Sequence, residues 1–424
     1  MASTGCLTDV EAEVLASLDA DEIARTASDL IAIPSVSGQE HAAQSYAAAH
    51  LEASGGQVES WSVDVAALSA HAAFSAEVER TDPMGIVARF GRGDGTTLLI
   101  DGHVDVVPPG DPELWTSPPF EPSLRAGRLY GRGACDTKGG LAAALHAVRA
   151  IATAGVRLRG KVCVAPVFGE EDGGSGTLAL LERGIRADGC ILLEPTELAV
   201  VPAVAGALSF RIRIRGRAAH GALRAEGVSA IEKLPVVQAA LLELERTRNA
   251  ARAEPLFAWL QTPFAICAGR VVGGDWPSSE ADWLILEGRY GVAPDEDLEM
   301  ARGEFEKAVG SAGSDDAWLH KHPPTVEWWG GQFLPGRTDE GDPLVAGLLE
   351  AVADTGLAPV VRGMPFGCDL GLTQGVGSIP SVVFGPGDIR DAHRPDESVA
   401  VADLERCARV LALTILRQCG VDES

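Results

Sequence analysis

Three times in the first half of the chain, an apolar run of strand length stops at a turn that carries a carboxylate or an imidazole. Leu98-Leu99-Ile100 runs into Asp101-Gly102-His103, the stretch 162–168 into Gly169-Glu170-Glu171-Asp172, and the stretch 189–193 into Glu194-Pro195. Short apolar runs bounded by glycine and proline read as strands buried on both faces, and helical stretches lie between them. Strands and helices alternating at this spacing predict an α/β layer with a parallel or mixed sheet. Ligands of such sheets gather at the carboxyl ends of the strands. A solvated acidic loop explains any one of these turns but not their recurrence. Acids crowded there repel one another, and a divalent cation is the simplest compensating charge.

Further groups fall at the same end of the layer. His103 and Asp105 lie two apart on an extended segment and share a side, so Asp105 can fix the tautomer of a metal-bound His103; a polar turn explains the pair equally well on spacing alone. Asp136, in Gly133-Ala134-Cys135-Asp136-Thr137-Lys138, stands just before a helix, where Asp is a favoured N-cap. The cap and a ligand role can be neighbours, because the loop exposes that carboxylate at the sheet end. His393, in DIRDAHRPDE, follows the last strand-like run.

At 424 residues the chain is too long for one core, so two domains are expected. From Ala207 the pattern changes to LSFRIRIRGRAAHG, with Arg211, Arg213 and Arg215 on one face and Phe210, Ile212 and Ile214 on the other, a half-exposed antiparallel strand. A helix over 228–248, two more strand runs and a helix over 297–309 give the order β-α-β-β-α. This predicts a smaller α+β domain at 207–318, inserted between the two parts of the larger one, 1–206 and 319–424.

The formal charge of −25, with no local cluster of Lys and Arg to offset it, argues against nucleic acid as a partner. No stretch approaches the roughly 18 apolar residues of a membrane span. Eight scattered cysteines without a C-x-x-C pair, and an N-terminus with early acids in place of a basic leader, predict a cytoplasmic protein.

Gathered together, His103, Asp136, Glu170, Glu171, Glu194 and His393 offer oxygen and imidazole ligands without thiolate, which suits Zn, Mn or Co. Two histidines and three carboxylates are enough for two ions about 3.5–4 Å apart. The stretches GHVDVVP, W-x-x-x-PF, LYGRGACDTKGG, GEEDGGSG, LLEPT, AAHG and DAHRPDE, in this order across nearly the whole chain, resemble the M20 family of dinuclear metallohydrolases. That family includes acetylornithine deacetylase, succinyl-diaminopimelate desuccinylase, aminoacylase and glutamate carboxypeptidase.

The resemblance implies a mixed-sheet, zinc-peptidase-like catalytic domain with an inserted ferredoxin-like lid and dimerisation domain. It also implies two divalent ions, zinc first and cobalt or manganese as alternatives, with His103 and Glu194 on one, Glu171 and His393 on the other, and Asp136 bridging. Glu170 would be the general base for a metal-activated water, and Asp105 would orient His103. His220 would stabilise the oxyanion, commonly from the other subunit of a homodimer. The expected activity is removal of an acyl group from an N-acyl amino acid or related small amide, as in acetylornithine deacetylase. A dipeptidase or carboxypeptidase is the alternative; an inactive scaffold is opposed by the complete ligand set. Two departures bear on substrate. The inserted domain reads GGDWPSSEADW where many members carry an asparagine, and Gly367-Cys368-Asp369-Leu370-Gly371 stands where many read G-T-D-A-R. Glycine cannot replace a guanidinium that clamps a carboxylate, which leaves Arg289 as the candidate for that task.

Overall fold

The computed structural model describes residues 7–422. The chain divides into two units, one built from the chain up to Ala203, Arg337–Gly363 and the segment from Cys368 onward, the other from Val204–Gly336 with Met364–Gly367.

In the first unit the strands are β1 (Gln57–Ser62), β2 (Met84–Gly91), β3 (Thr97–His103), β4 (Lys161–Val167), β5 (Gly189–Leu192), β6 (Val200–Val204) and, after the inserted unit, β7 (Ser381–Val383). They form a nine-stranded mixed sheet in the order β1-β2-β4-β3-β5-β7-β6-Gly336–Arg337, with Val361–Met364 also paired to β6. The centre β4-β3-β5-β7 is parallel and the flanks are antiparallel. Ile100, Val164, Ile191 and Val382 are fully buried in one core with residues of the helices Ala20–Ala32, Lys138–Thr153 and Val401–Cys419. This burial on both faces is why those strands lack polar alternation. The N-terminal stretch forms two helices, Asp9–Ala16 and Ala20–Ala32, because Asp19 caps the second through the amides of Asp21 and Glu22.

The second unit is a four-stranded antiparallel sheet in the order Ile266–Gly273, Trp283–Val292, Gly206–Arg215, Thr325–Phe333, packed on the helices Leu234–Ala251 and Leu298–Ser311. Phe210, Tyr290 and Trp328 ring Phe305 with centroids 4.7, 4.8 and 5.3 Å away, at the tilted angles aromatic pairs favour. The unit runs on to Gly336, past Trp318, because Thr325–Phe333 pairs with Gly206–Arg215 and completes a β-α-β-β-α-β order. The polar alternation of Gly206–Arg215 marks an open face and not an edge. Both sides of this strand are paired, and Arg211 and Arg213 answer Glu287 and Glu327 on its two neighbours at 2.8–3.3 Å.

Candidate metal centre

The carboxyl ends of β3, β4 and β5 converge on one cluster. His103 ends β3, Glu170 and Glu171 follow β4, and Glu194 follows β5. Asp136 comes from the turn that opens the helix Lys138–Thr153, and His393 from the segment after β7, where it adopts the left-handed φ of +58°. That conformation costs a histidine about 1–2 kcal/mol and is typical of side chains held for function.

His103 Nε2 lies 3.1 Å from Asp136 Oδ1 and 3.8 Å from Glu194 Oε1. His393 Nε2 lies 3.3 Å from Asp136 Oδ2 and 3.1 Å from Glu171 Oε2, so Asp136 faces one imidazole with each oxygen. Ligand atoms of His103, Asp136 and Glu171 lie within 4.8 Å of one another, as do those of His103, Glu170 and Glu194. The cluster is buried except for Glu171, which is half-buried, and His393, whose side chain is 52% exposed.

The electrostatics are those of anions short of a cation. Burial first, and then the Glu194 charge, push Glu170 well above the usual carboxyl range, and burial with the Asp136 charge does the same to Glu194. Burial works against charge on His103 and Asp136 too, but their mutual hydrogen bond prevails, raising the imidazole and lowering the carboxyl. The Glu171 charge leads in lifting His393 to about 11. Four or more acids drawing protons onto two imidazoles is the donor set a divalent pair would relieve.

Surrounding groups hold the ligands in place. His103 Nδ1 donates to the main-chain carbonyl of Asp105 at 2.9 Å, while the Asp105 carboxylate accepts from the amides of Glu170 and Glu171 at 3.2 and 3.1 Å. Asp105 thus fixes the His103 tautomer through its backbone and the two glutamates through its side chain. Asp172, the third acid of that turn, is taken by Arg80 at 2.7 and 3.0 Å, and Arg80 also meets Glu40 at 2.9 Å. Thr177 Oγ1 lies 2.8 Å from Asp101 Oδ2 and 2.5 Å from Asp369 Oδ2. A hydroxyl brings one proton, so one of these carboxyls must supply the other; burial pushes Asp369 up to about 6. Gly174 is required beside it, since a Cβ there would fall 2.2 Å from Asp369 Oδ1. The Lys138 ammonium donates to the carbonyls of Leu30 and Ile33 at 2.9 and 2.7 Å.

Arg80 carries no motif signal, and Glu397, although it closes the stretch DAHRPDE, is given no role by sequence reasoning. Each lies far along the chain from the ligand loop it braces.

In the second unit, His220 is exposed and its Nδ1 accepts from the Ala222 amide at 3.1 Å. The neutral ring therefore carries its proton on Nε2. Arg289 Nη2 donates to the Pro365 carbonyl at 2.5 Å.

Residues 99–417 match the model of Peptidase family M20/M25/M40. The N-formyl-4-amino-5-aminomethyl-2-methylpyrimidine deformylase of Bacillus subtilis is 30% identical over 345 residues, covering 77% of this chain and 80% of that one. The acetylornithine deacetylase of Myxococcus xanthus is 32% identical over 360 residues, covering 81% and 86%. Among solved structures, a di-peptidase from Saccharomyces cerevisiae shares the fold at a TM-score of 0.75 with 15% identity, covering 96% of this chain and 97% of that one. Human carnosine dipeptidase 1 shares it at 0.72 with 17% identity, covering 96% and 99%.

Proposed function

The chain belongs to Peptidase family M20/M25/M40 and is a hydrolase of amide bonds, and we propose that it removes a small acyl group from an N-acyl amino acid or related amide. The observation that carries this reading is Glu170. Its buried carboxyl takes no hydrogen bond among the described residues, whereas Asp105, Asp172 and Glu397 are each spent on backbone amides or arginines. It also lies within ligand reach of His103 and Glu194.

His103 and Glu194 would hold one divalent ion and Glu171 and His393 the other, with Asp136 shared. Zinc is the first candidate for a nitrogen and oxygen donor set, and cobalt and manganese follow. Ions held there polarise the amide carbonyl and make a water acidic. Glu170 takes the proton of the attacking water and delivers it to the leaving nitrogen, a task that burial suits it to by raising its affinity for that proton. The free thiols, six of the seven described being buried, fit a reducing cytoplasm.

His220, exposed and with its Nδ1 taken by the Ala222 amide, is the donor proposed for the oxyanion through Nε2–H. We place it in the partner's site of a homodimer joined through the inserted unit, whose edge strand Ile266–Gly273 leaves Val271 and Val272 exposed. His220→Ala is then expected to lower kcat by about 10²–10³ with KM and metal content unchanged. Mixing it with Glu170→Gln restores activity through hybrid dimers carrying one intact site. Proven subunit exchange without recovery would mean that His220 acts within its own chain or not at all.

The amine half need not be an amino acid. Gly371 removes one guanidinium, and Arg289 commits a nitrogen to Pro365. A panel of N-formyl, N-acetyl and N-succinyl amino acids, N-formyl amines without a carboxylate, and dipeptides tests the proposal. We expect small N-acyl amides to exceed dipeptides in kcat/KM by more than about tenfold, roughly 1.4 kcal/mol of transition-state binding. The reverse order would replace this reading with a dipeptidase.

A further inference from the structure

Glu397 is fully buried and spends both carboxylate oxygens within the first unit. Oε1 accepts from the amides of Cys135 at 2.9 Å and Asp136 at 3.0 Å, and Oε2 accepts from Arg132 Nη1 at 2.6 Å. Its own carbonyl accepts from the Gly131 amide at 3.0 Å. Arg132 is itself buried, with its guanidinium 5.2 Å from the Trp115 ring centroid. One acid therefore grips both ends of the turn Gly131–Asp136, and its charge is balanced by an arginine of that same turn. It also stands four residues after His393 on one continuous segment. The next residue back, Asp396, accepts from the Thr116 amide and hydroxyl at 2.9 and 2.6 Å, which fixes that segment from its other side.

We propose that Glu397 is a positioning residue for the shared ligand Asp136, setting where that carboxylate stands between the two imidazoles, and that it ties this ligand to His393 through the segment both depend on. The proposal rests on the ligand set given above. An Arg132–Glu397 ion pair with no other role would stabilise the fold alone. A positioning role requires the two amide contacts, which do not need the charge.

The separation is made with paired variants. Glu397→Gln with Arg132→Met removes both charges but keeps an oxygen for the two amides; Glu397→Ala with Arg132→Met removes the oxygen as well. Co²⁺ binding by calorimetry, and the visible spectrum of the cobalt protein, are compared for the two and for the wild type. We expect the Gln pair to match the wild type, and the Ala pair to bind more weakly by about 10–100-fold with an altered cobalt spectrum, the range seen when groups behind metal ligands are lost. Equal affinity and identical spectra in both pairs would overturn the proposal. Where a double variant does not fold, Glu397→Asp decides. It keeps the charge opposite Arg132 but withdraws the acceptor by one methylene, and is expected to weaken Co²⁺ binding and lower kcat without changing KM. Wild-type affinity and kcat in that variant would equally overturn it. A wild-type protein that binds no Co²⁺ would instead remove the ligand set itself, a failure visible before any variant is made.

Discussion

Glu170→Gln is expected to keep its metal content and lose about 10²–10⁴ in kcat, the contribution of a positioned acid-base group. The amide is nearly isosteric and keeps the Glu170 backbone amide on Asp105, so the turn carrying Glu171 stays in place. What disappears is a group that can accept a proton. Removing one negative charge from a cluster in which the Glu194 charge raises Glu170 also relieves repulsion, so thermal stability should hold or rise. Metal analysis, a melting curve and steady-state kinetics on the same preparation check this. A wild-type rate with full metal content would assign the base elsewhere.

Stripping the ions is expected to destabilise the first unit, and more so as the pH rises. Without metal, burial pushes Asp105 up to about 7 and Asp369 up to about 6, against about 3.9 in an unfolded chain. A carboxyl raised on folding stabilises the fold fully below its unfolded pKa, and that contribution is lost as the pH climbs through the folded value. His393, lifted to about 11 with the Glu171 charge as the first cause, has the same sign, its contribution declining from about pH 6.5 upward. Asp136 is shifted the other way, but its change falls in the acid range. The metal-free protein therefore weakens from about pH 5 to 8. Ion binding needs deprotonated ligands and strengthens over the same interval. With free metal at about a thousand times Kd, each ion adds about 4 kcal/mol. Calorimetry with and without chelator at both ends of that range should show a gap in Tm that widens with pH. A gap independent of pH would refute the argument.

The candidate cluster was legible because its signal is local: an apolar run, a stop and an acid or imidazole, repeated at β3, β4 and β5. The braces were not. Arg80 lies in an irregular stretch 90 or so residues before Asp172, and Glu397 reads as one more acid beside His393; only the fold brings each to its turn. The strand Thr325–Phe333 also escaped assignment to the inserted unit. Its Trp-Trp-Gly-Gly run has no clean alternation, and its pairing with Gly206–Arg215 is interrupted between Trp328 and Gln332. Alternation in Gly206–Arg215 shows that one face is polar, but says nothing of how many neighbours the strand has. Here the neighbours carry the opposite charges.

The place of β7 between β5 and β6 has a consequence for how the protein is made. Both neighbours leave the ribosome roughly 180 residues before β7 does, an interval of about 9–36 s at ordinary elongation rates. Throughout it the nascent sheet has a gap at its centre, with open backbone on the strands to either side. The intervening stretch has a core of its own and can close during the wait. The gap fills, and His393 arrives beside Asp136, only once the segment from β7 onward has emerged. A candidate site that needs His393 can therefore be completed only after the whole inserted unit has been made.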